Sequence, residues 1–419
     1  MSQIIKKKHQ CRFCEENLNH VMCDLGLSPF ANSYRSFQSS KFTEVMYPLK
    51  VLVCSKCYLS QLEEFVNPSE IFGEYLYFSS YSSTWVEHSK RYCDMMIARF
   101  GFGPGSQVVE IASNDGYLLQ HFKDRNVRVL GIEPAANVAK IAWEKRGIPS
   151  FVKFFGVDTA NELVENELAA DLLMGNNVLA HVPDINDFVA GLRIALKPSG
   201  VITFEFPHLQ RLIEYNQFDT VYHEHFSYLS LLSVRKIFSR HHLEIFDVEE
   251  IGTHGGSIRI FACHSEISAE RYPVSNRVQE MEEQEIKFGL ADMKTYQNFS
   301  EKVIVSKLKL IKFLKSVRSS GQKVVCYGAA AKGVTLINYC GITDEYVEYV
   351  VDKSPYKQNR YMPGSSIPIY DPQKILETKP DYVLILPWNI KEEIMSEMAS
   401  IRDWGGKFVV PIPEVAIME

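Results

Sequence analysis

Short apolar runs alternate with helical patterns along two long stretches of the chain. In the first stretch, a buried run at 108–113 precedes a turn and a helix, and this order recurs to about residue 300. The alternation predicts a mainly parallel, doubly wound sheet. Its predicted strands are 108–113, 128–134, 171–179, 201–207 and a closing pair at 244–252 and 257–264, with helices at 137–146 and 188–197.

The alternation starts again after residue 320. Residues 323–333 predict a strand that enters a turn and a helix, and further strands are predicted at 346–354, 381–388 and 407–413. The charged, periodic stretch 276–320 predicts helices that join the two alternating regions. The sequence therefore predicts an α/β protein with three segments, bounded at 1–75, 76–300 and 301–419.

The composition excludes several classes of protein. Of the 419 residues, 46% are hydrophobic and 23% are charged, which is typical of a globular protein. The net charge of −6 argues against a protein that coats nucleic acid or an anionic membrane. No apolar run reaches the ~18–20 residues of a transmembrane helix, and no secretory signal is visible. We therefore expect a cytoplasmic location, reduced cysteines and no nucleic-acid or membrane partner.

Two Cys-x-x-Cys pairs lie in the first segment. Cys11 and Cys14 form one pair, and Cys54 and Cys57 form the other. A two-residue gap lets both thiolates of a pair reach one ion, and two pairs complete a tetrahedral zinc site. Four thiolates leave no open position, so the pattern predicts a structural zinc ion in a segment with little core. The cysteines predicted as packed small residues are Cys23, Cys93, Cys263, Cys326 and Cys340.

Polar residues follow the first three predicted strands of the second segment, at the edge where open α/β sheets bind ligands. The first turn has one glycine, which excludes a GxGxxG dinucleotide fingerprint. An acidic residue that closes the second strand suits the ribose hydroxyls of an adenosine. The spacing is compatible with S-adenosylmethionine, with NAD, or with a turn that binds no ligand. The candidate cofactor-binding residues are Glu110, Asn114, Asp115, Gly116, Glu133 and Asn176.

The segment 218–228 holds the densest polar cluster of the chain, FDTVYHEHFSY. A histidine titrates near neutrality and suits a general base. Glu224 is a candidate to orient a histidine or a substrate hydroxyl, and Tyr222 is a candidate donor to a developing oxyanion. The alternatives are a solvated loop, or half of a metal site formed by His223 and His225.

Three further stretches add candidates. The tyrosine-rich run 74–82 suits a cleft wall or an amphipathic strand edge. The turn at His254 and Gly255 suits either close approach of a ligand or a plain hairpin. The small-residue turn from Tyr327 to Lys332 opens a helix, and its N–H groups and lysine suit a diphosphate, with close helix–strand packing as the alternative.

Together these motifs resemble the sugar C-methyltransferase family, whose members use S-adenosylmethionine to methylate C-3′ of TDP-4-keto-deoxy sugars. The resemblance covers essentially the whole chain. Besides the cysteine pairs, it rests on EYLYFSSYS (74–82), EIASNDGYLL (110–119), GIEP (131–134), GNNVLAHV (175–182), EFPHL (205–209), FDTVYHEHFSYLSL (218–231), HGGSIR (254–259) and YGAAAKG (327–333). It implies a zinc-binding domain at 1–75, a class I, Rossmann-like methyltransferase domain at 76–300, and a Rossmann-like nucleotide-sugar-binding domain at 301–419.

The resemblance also implies a role for each candidate. His225 would be the base that removes the C-3′ proton, and Glu224, Tyr222 and Tyr77 would position the sugar or stabilise its enolate, with Tyr75 competing for the role of Tyr77. The implied ligands are S-adenosylmethionine, a structural zinc ion and a TDP-linked 4-keto-deoxy sugar, on a monomer. The implied substrate-binding residues are Asn177, His181, His254, Gly255, Tyr327 and Lys332.

Three other functions stay open at the level of sequence. The first is methylation at another sugar carbon or at oxygen. The second is an NAD-dependent nucleotide-sugar oxidoreductase, although the GAAAKG turn lacks the spaced glycines of an NAD site. The third is a zinc-containing nucleic-acid-binding protein, against which the net charge of −6 argues.

Overall fold

The computed structural model of the chain describes residues 9–38, 44–63 and 78–418. In these ranges the chain forms three β-sheets. The first part of the chain contributes four strands: β1 (His20–Ser28), β2 (Arg35–Ser36), β3 (Tyr47–Val53) and β4 (Ser60–Leu62).

The central part of the chain alternates strands and helices. Its strands are β5 (Gln107–Ile111), β6 (Arg128–Ile132), β7 (Ser150–Phe151), β8 (Ala170–Asn176), β9 (Leu196–Pro207), β10 (Ser227–Tyr228), β11 (Leu243–Ile251) and β12 (Ser257–His264). Its helices are α1 (Ser83–Phe100), α2 (Leu119–Lys123), α3 (Ala136–Arg146), α4 (Val157–Glu165), α5 (Ile185–Ala195), α6 (Leu209–Glu214), α7 (Leu231–Arg240) and α8 (Ser265–Arg271).

Two helices, α9 (Asn276–Phe288) and α10 (Met293–Ser319), connect the central part to the last part, as the periodicity of 276–320 predicts. The last strands are β13 (Val324–Tyr327), β14 (Val350–Val351), β15 (Arg360–Tyr361), β16 (Pro368–Tyr370), β17 (Tyr382–Ile385), β18 (Lys407–Val410) and β19 (Ala416–Met418). The last helices are α11 (Ala331–Cys340), α12 (Gln373–Thr378) and α13 (Lys391–Glu397).

The central sheet has the strand order β11-β12-β9-β8-β5-β6-β7. The strands β5 to β9 are parallel, whereas β12 runs antiparallel to both of its neighbours. The order reverses on the two sides of β5, and such a switch point leaves a crevice at the carboxyl ends of the strands. The predicted doubly wound sheet and its closing pair, β11 and β12, are confirmed.

The third sheet has the order β19-β18-β17-β13-β14-β16-β15-β2. Its five inner strands, from β18 to β16, are parallel and reverse their order on the two sides of β13. This is the Rossmann-like arrangement expected for the C-terminal domain. The predicted strand at 346–354 is much shorter than expected, because only Val350 and Val351 pair with both neighbours.

One predicted helix begins and ends earlier in the chain than expected, and its first residue is Ile185. The helix expected at 188–197 is α5, which already ends at Ala195. Pro198 disfavours the helical conformation of the residue before it. The chain therefore continues as an extended strand, and Leu196 at the start of β9 pairs with Ala170 of β8.

The first sheet has the order β1-β3-β4-β10, and all its pairs are antiparallel. Its outer strand β10 comes from the central part of the chain and forms the end of the polar cluster at 218–228. At the other end of the N-terminal segment, β2 pairs with β15 of the third sheet. The N-terminal segment is therefore bound by strand pairing to both of the larger domains.

A buried carboxylate of the connecting helix α9 holds the central domain together. Glu285 is completely buried, and it accepts hydrogen bonds from His208 Nε2 at 2.8 Å and from the N–H groups of Leu231 and Leu232 at 2.6 and 2.8 Å. These N–H groups belong to the first turn of α7. The N–H groups of a first turn have no acceptor within their own helix. Glu285 thus ties α9 to the end of β9 and to α7.

We expect Glu285→Ala to lower the free energy of unfolding by about 3–5 kcal/mol, because it leaves His208 and two buried N–H groups without their acceptor. Urea denaturation followed by circular dichroism measures the change. The matched control is Glu283→Ala, since Glu283 lies on the exposed face of the same helix and such a change is usually within ~0.5 kcal/mol. Equal unfolding midpoints for both variants would contradict the role of Glu285.

Candidate functional site

A cavity of about 630 Å³ lies at the carboxyl edge of the central sheet. All three parts of the chain line it: Asn32 from the N-terminal segment, the ends of β5, β6 and β8, and Ala330 to Lys332 from the third domain. The volume is within the range of pockets that hold small ligands. The sequence-predicted residues that line it are Asn114, Glu133, Asn176, Asn177, His181, Tyr222, Glu224, His225 and Lys332.

The four predicted zinc ligands come together in a separate cluster. The sulfur atoms of Cys11, Cys14, Cys54 and Cys57 all lie within 4.8 Å of one another. The pairs Cys11–Cys57 and Cys14–Cys54 are each 3.5 Å apart, close to the edge of about 3.8 Å that a zinc tetrahedron with ~2.3 Å bonds requires. The donor set therefore fits a closed zinc site.

The two cysteine pairs have the same local geometry, as expected of two knuckles. The carbonyl of Cys11 accepts from Glu15 N and that of Cys54 accepts from Tyr58 N, both at 2.9 Å. Each turn ends in a residue with positive φ, at 62° for Glu15 and 66° for Tyr58. The repeated turn directs both sulfurs of each pair toward a common point.

The first knuckle docks against the wall of the cavity. Arg12 lies between its two cysteines, and its Nη1 donates to the carbonyl of Pro183 at 2.8 Å. Its Nη2 donates to the carbonyl of Leu62, and Asn186 Nδ2 donates to the carbonyls of Arg12 and Phe13 at 3.2 and 3.0 Å. The cysteine cluster therefore supports one side of the cavity.

At the cofactor edge, the turn after β5 has an unusual backbone. Ala112, Asn114 and Gly116 have φ values of 53°, 50° and 77°. A Cβ atom on Gly116 would lie 2.9 Å from Ile148 Cγ1, so this glycine also permits close packing. Asn114 accepts a hydrogen bond from Ser79 N at 2.9 Å through Oδ1 and lines the cavity.

Glu133 fixes that turn from the end of β6. Its two carboxylate oxygens accept from Asn114 N and Ala135 N, both at 2.9 Å. Burial raises the pKa of Glu133, and the two backbone donors partly offset this effect. Each oxygen keeps a lone pair for a ligand, so Glu133 is able to hold the turn and a ribose hydroxyl together.

Two predicted cofactor residues, Glu110 and Asp115, lie behind the cavity wall. Both are about 1% exposed, and neither lines the cavity. Burial, together with the nearby Glu133 and Asp115, raises the pKa of Glu110 well above its usual value. Asp115 accepts from Ser80 Oγ and lies 3.5 Å from Arg146 Nη1. Their contacts support the turn from behind, as does Gly116.

Two asparagines lie at the end of β8. Among the described residues, the buried Nδ2 of Asn176 has no hydrogen-bond partner, and the side chain lines the cavity. A buried unpaired donor is costly without a ligand. Asn177 has a φ of 57° and donates its N–H to the carbonyl of Glu205 at 2.7 Å. The orphaned donor supports a cofactor at this edge.

His225 lies at the cavity with a defined tautomer. Its Nδ1 is 3.0 Å from the carbonyl oxygen of Thr220. A carbonyl only accepts, so Nδ1 carries a proton, and in the neutral imidazole Nε2 is the basic nitrogen. The ring of Tyr222 lies 4.0 Å from the imidazole between centroids, and that of His181 lies 4.7 Å away.

Burial shifts the pKa values of the groups next to His225. Burial raises the pKa of Glu224 to about 7, although a hydrogen bond from Asn32 Nδ2 at 2.5 Å opposes the shift. Burial lowers the pKa of His181 to about 4, so that His181 is neutral at pH 7. His223, by contrast, points away from the cavity and its Nε2 lies 3.1 Å from the carbonyl of Pro48. The cluster is thus a buried site rather than a solvated loop.

The third domain contributes Lys332 from the first turn of α11. Its Nζ donates to Asn389 Oδ1 at 2.6 Å and lies 4.5 Å from the ring centroid of Trp388. Gly328, before the helix, has a φ of 91°, and a Cβ atom there would lie 2.5 Å from Pro387 Cδ. This close approach explains the glycine without a ligand.

Two predicted substrate residues do not line the cavity. Tyr327 is 5% exposed and packs into the core on β13, and Gly255 lies in the turn between β11 and β12, where a Cβ atom would meet Trp388 at 2.6 Å. Tyr77 lies outside the described residues, as does the side chain of His254. Their assignments stay predictions.

Reasoning from the sequence missed several residues that line or support the site. Asn32, Trp85 and Lys357 line the cavity, and Thr220 supplies the carbonyl that orients His225. Asn32 and Lys357 lie far from the central motifs in sequence, and a backbone carbonyl leaves no signal in a motif. Trp85 stacks on His88, with 4.9 Å between the ring centroids. His88 in turn contacts Glu205 of the EFPHL motif at 2.9 Å, so Trp85 is connected to a sequence motif only indirectly.

Matches to known families divide the chain in three. Residues 11–72 match a family described as a zinc binding domain, residues 85–248 match a methyltransferase domain, and residues 252–413 match a C-methyltransferase C-terminal domain. In the described residues, no helix has the length and apolar character to cross a membrane. The fold and the site thus define a Rossmann-like methyltransferase that uses S-adenosylmethionine.

The chain belongs to the C-methyltransferase family. It is 33% identical to C-methyltransferase NovU from Streptomyces niveus over 418 residues, which are 100% of this chain and 99% of that protein. A solved structure of a protein from Pyrococcus horikoshii OT3 is 14% identical, with a TM-score of 0.36, over 48% of this chain and 99% of that one. Magnesium protoporphyrin IX methyltransferase from Synechocystis PCC 6803 with bound SAH is also 14% identical, with a TM-score of 0.34, over 43% of this chain and 83% of that one.

We expect Cys54→Ser to lose bound zinc and to lower the midpoint of thermal unfolding by several degrees, because a closed site needs all four thiolates. Metal analysis of the purified protein and calorimetry measure the two effects. Cys93→Ser is the control, since Cys93 is a buried cysteine outside the cluster. A variant without zinc that unfolds at the wild-type temperature would refute the structural role.

Proposed function

We propose that this chain transfers a methyl group to C-3′ of a TDP-linked 4-keto-deoxy sugar through an enolate formed by His225. The proposal adds a substrate and a mechanism to the C-methyltransferase activity of the family. A carbon beside a ketone becomes a nucleophile when a base removes its proton and hydrogen-bond donors stabilise the oxygen. The observation that carries the proposal is that His225, Glu224 and Tyr222 meet at the cavity wall.

His225 has the properties of the base. The hydrogen bond to the Thr220 carbonyl holds a proton at Nδ1, so Nε2 is the nitrogen proposed to take the C-3′ proton. The ring of Tyr222 limits rotation of the imidazole. A base held in one tautomer and one orientation needs little rearrangement before it reacts.

Glu224 and Tyr222 are the proposed donors to the ketone oxygen. With a pKa raised to about 7, Glu224 keeps its proton in a large share of molecules at neutral pH, and a protonated carboxyl is a donor. The neutral His181 beside them adds no charge to the wall. When Glu224 is protonated, negative charge that develops on the oxygen meets hydrogen-bond donors. Tyr77 and Asn177 complete the proposed sugar contacts.

The carboxyl edge of the central sheet suits S-adenosylmethionine. When bound, this cofactor supplies an electrophilic methyl group. Asn114, Glu133 and Asn176 are the residues that would hold it, and the unpaired Nδ2 of Asn176 supports this assignment. Glu110, Asp115 and Gly116 would act from behind by holding the turn.

The first turn of α11 is the proposed site for the diphosphate. Ala330 at the N-cap offers no side-chain acceptor to the N–H groups of this turn, which are therefore available to an anion. Lys332 and Lys357 bring positive charge to the same part of the cavity. The assignment of His254, Gly255 and Tyr327 to the substrate has less support, since neither Gly255 nor Tyr327 lines the cavity.

We expect His225→Ala to lower the rate of methyl transfer by a factor of roughly 10²–10⁴, as for loss of a general base, with nearly unchanged affinity for S-adenosylmethionine. The assay incubates the protein with S-adenosylmethionine and a panel of TDP-4-keto-6-deoxy sugars in heavy water, followed by mass spectrometry. Calorimetry measures cofactor binding. An equal loss of cofactor affinity would count against the assignment of the base.

The same assay tests the substrate with wild-type protein. One added methylene and solvent exchange confined to the carbon beside the ketone would support the enolate. Exchange without methyl transfer would keep the base and contradict the assigned sugar. Neither exchange nor product across the panel would contradict the proposed substrate class.

The pH profile tests the role of Glu224. Because its pKa is raised to about 7, the donor form is lost as the pH rises through that value, and kcat/KM is expected to fall above it. In Glu224→Gln the amide donates at every pH, so this alkaline limb is expected to disappear. An unchanged alkaline limb in the variant would exclude Glu224 as the titrating donor.

A further inference from the structure

The turn that precedes His225 is buried between two domains. It consists of Phe218, Asp219, Thr220 and Val221, and all of these except Thr220 are 0% exposed. Its carbonyl at Thr220 is the acceptor for His225 Nδ1. The orientation of the imidazole therefore depends on how this turn is held.

The third domain holds the turn through three contacts. Thr335 Oγ1, in the middle of α11, donates to the carbonyl of Val221 at 2.7 Å. Trp388 Nε1 donates to Asp219 Oδ2 at 2.7 Å, and the rings of Phe218 and Tyr339 pack edge to face at 5.5 Å. These contacts flank the Thr220 carbonyl on both sides along the chain.

We propose that Thr335 is a positioning residue for His225, acting through the Val221 peptide and the adjacent Thr220 carbonyl. The inference rests on the proposed function of His225 as the base. The Thr335 hydroxyl bonds the backbone of Val221, which directly follows the Thr220 carbonyl that orients the imidazole. Thr335 does not line the cavity, so its effect on the reaction must pass through the turn.

The position of Thr335 on α11 connects the proposed diphosphate site to the orientation of His225. The first turn of this helix, at Ala331 and Lys332, lines the cavity, and Thr335 lies one turn further along the same helix. A helix is stiff over this length, so a displacement of its first turn moves the Thr335 hydroxyl as well. The helix that is proposed to hold the diphosphate thus also sets the direction of the base.

The test compares Thr335→Val with Thr335→Ser. Valine keeps the shape of threonine but removes the donor to Val221, whereas serine keeps the donor. A misplacement of about 1 Å in a catalytic group costs up to about 10²-fold in rate. We expect Thr335→Val to lower kcat for exchange of the C-3′ proton in heavy water by roughly tenfold or more, with KM unchanged, and Thr335→Ser to restore most of the rate.

A second readout does not depend on the substrate. In protein labelled with ¹⁵N-histidine, the nitrogen shifts of His225, assigned by comparison with His225→Gln, report its tautomer. We expect the Nδ1–H form in the wild type and in Thr335→Ser, and a mixture of tautomers in Thr335→Val. The control is Thr378→Val, since the Thr378 hydroxyl bonds Lys374 and Tyr349 in the same domain and does not touch the turn.

The outcomes separate the two proposals. If wild-type protein does not exchange the sugar proton, the proposed substrate fails, and the tautomer still decides the role of Thr335. If Thr335→Val keeps both the wild-type tautomer and the wild-type exchange rate, the positioning role is wrong. A rise in KM at constant kcat would likewise overturn it, as would an equal loss of rate in Thr378→Val.

Discussion

The antiparallel pairing of β4 with β10 is the constraint on which the site depends. It joins the strand that follows the second cysteine pair to the residues that follow His225. The carbonyl of Phe226 accepts from Leu62 N at 3.0 Å, so the backbone on the C-terminal side of His225 is fixed by the N-terminal segment. The four-cysteine cluster is thus connected to the site at a distance, because its second cysteine pair directly precedes a strand of a small sheet whose last strand belongs to the central domain.

The segment from Phe218 to Tyr228 is held from both sides. The N-terminal segment bonds Glu224 through Asn32 and His223 through the carbonyl of Pro48. The third domain bonds the preceding turn through Thr335 and Trp388. Burial of Glu224 in this segment raises its pKa, and burial of His181 in the neighbouring wall lowers the pKa of that histidine. The same packing therefore gives both the geometry and the protonation states.

The candidate cofactor residues at the end of β5 divide into those that line the cavity and those that lie behind it. Glu110 lies within β5, whereas Asn114 and Asp115 lie in the turn that follows it. Of these three residues only Asn114 lines the cavity, and Glu110 and Asp115 are buried behind it. The sequence predicted the group as a whole, since polar residues after a buried strand mark the edge where ligands bind. It did not distinguish the residues that face a ligand from those that hold the turn, because both kinds are polar and close together.

The sequence by itself determined the two alternating α/β regions, the four cysteines of the cluster and the stretch that carries His225, because periodicity and short spacings are local properties. The tertiary structure decided which candidates meet. It brought Asn32 to Glu224 across 192 positions and the Thr335 hydroxyl to Val221 across 114. It also placed Tyr327 in a hydrophobic cluster of the third domain and not in the cavity wall. Contacts of this kind depend on how three domains pack, and packing between distant segments leaves no periodic signal in one sequence.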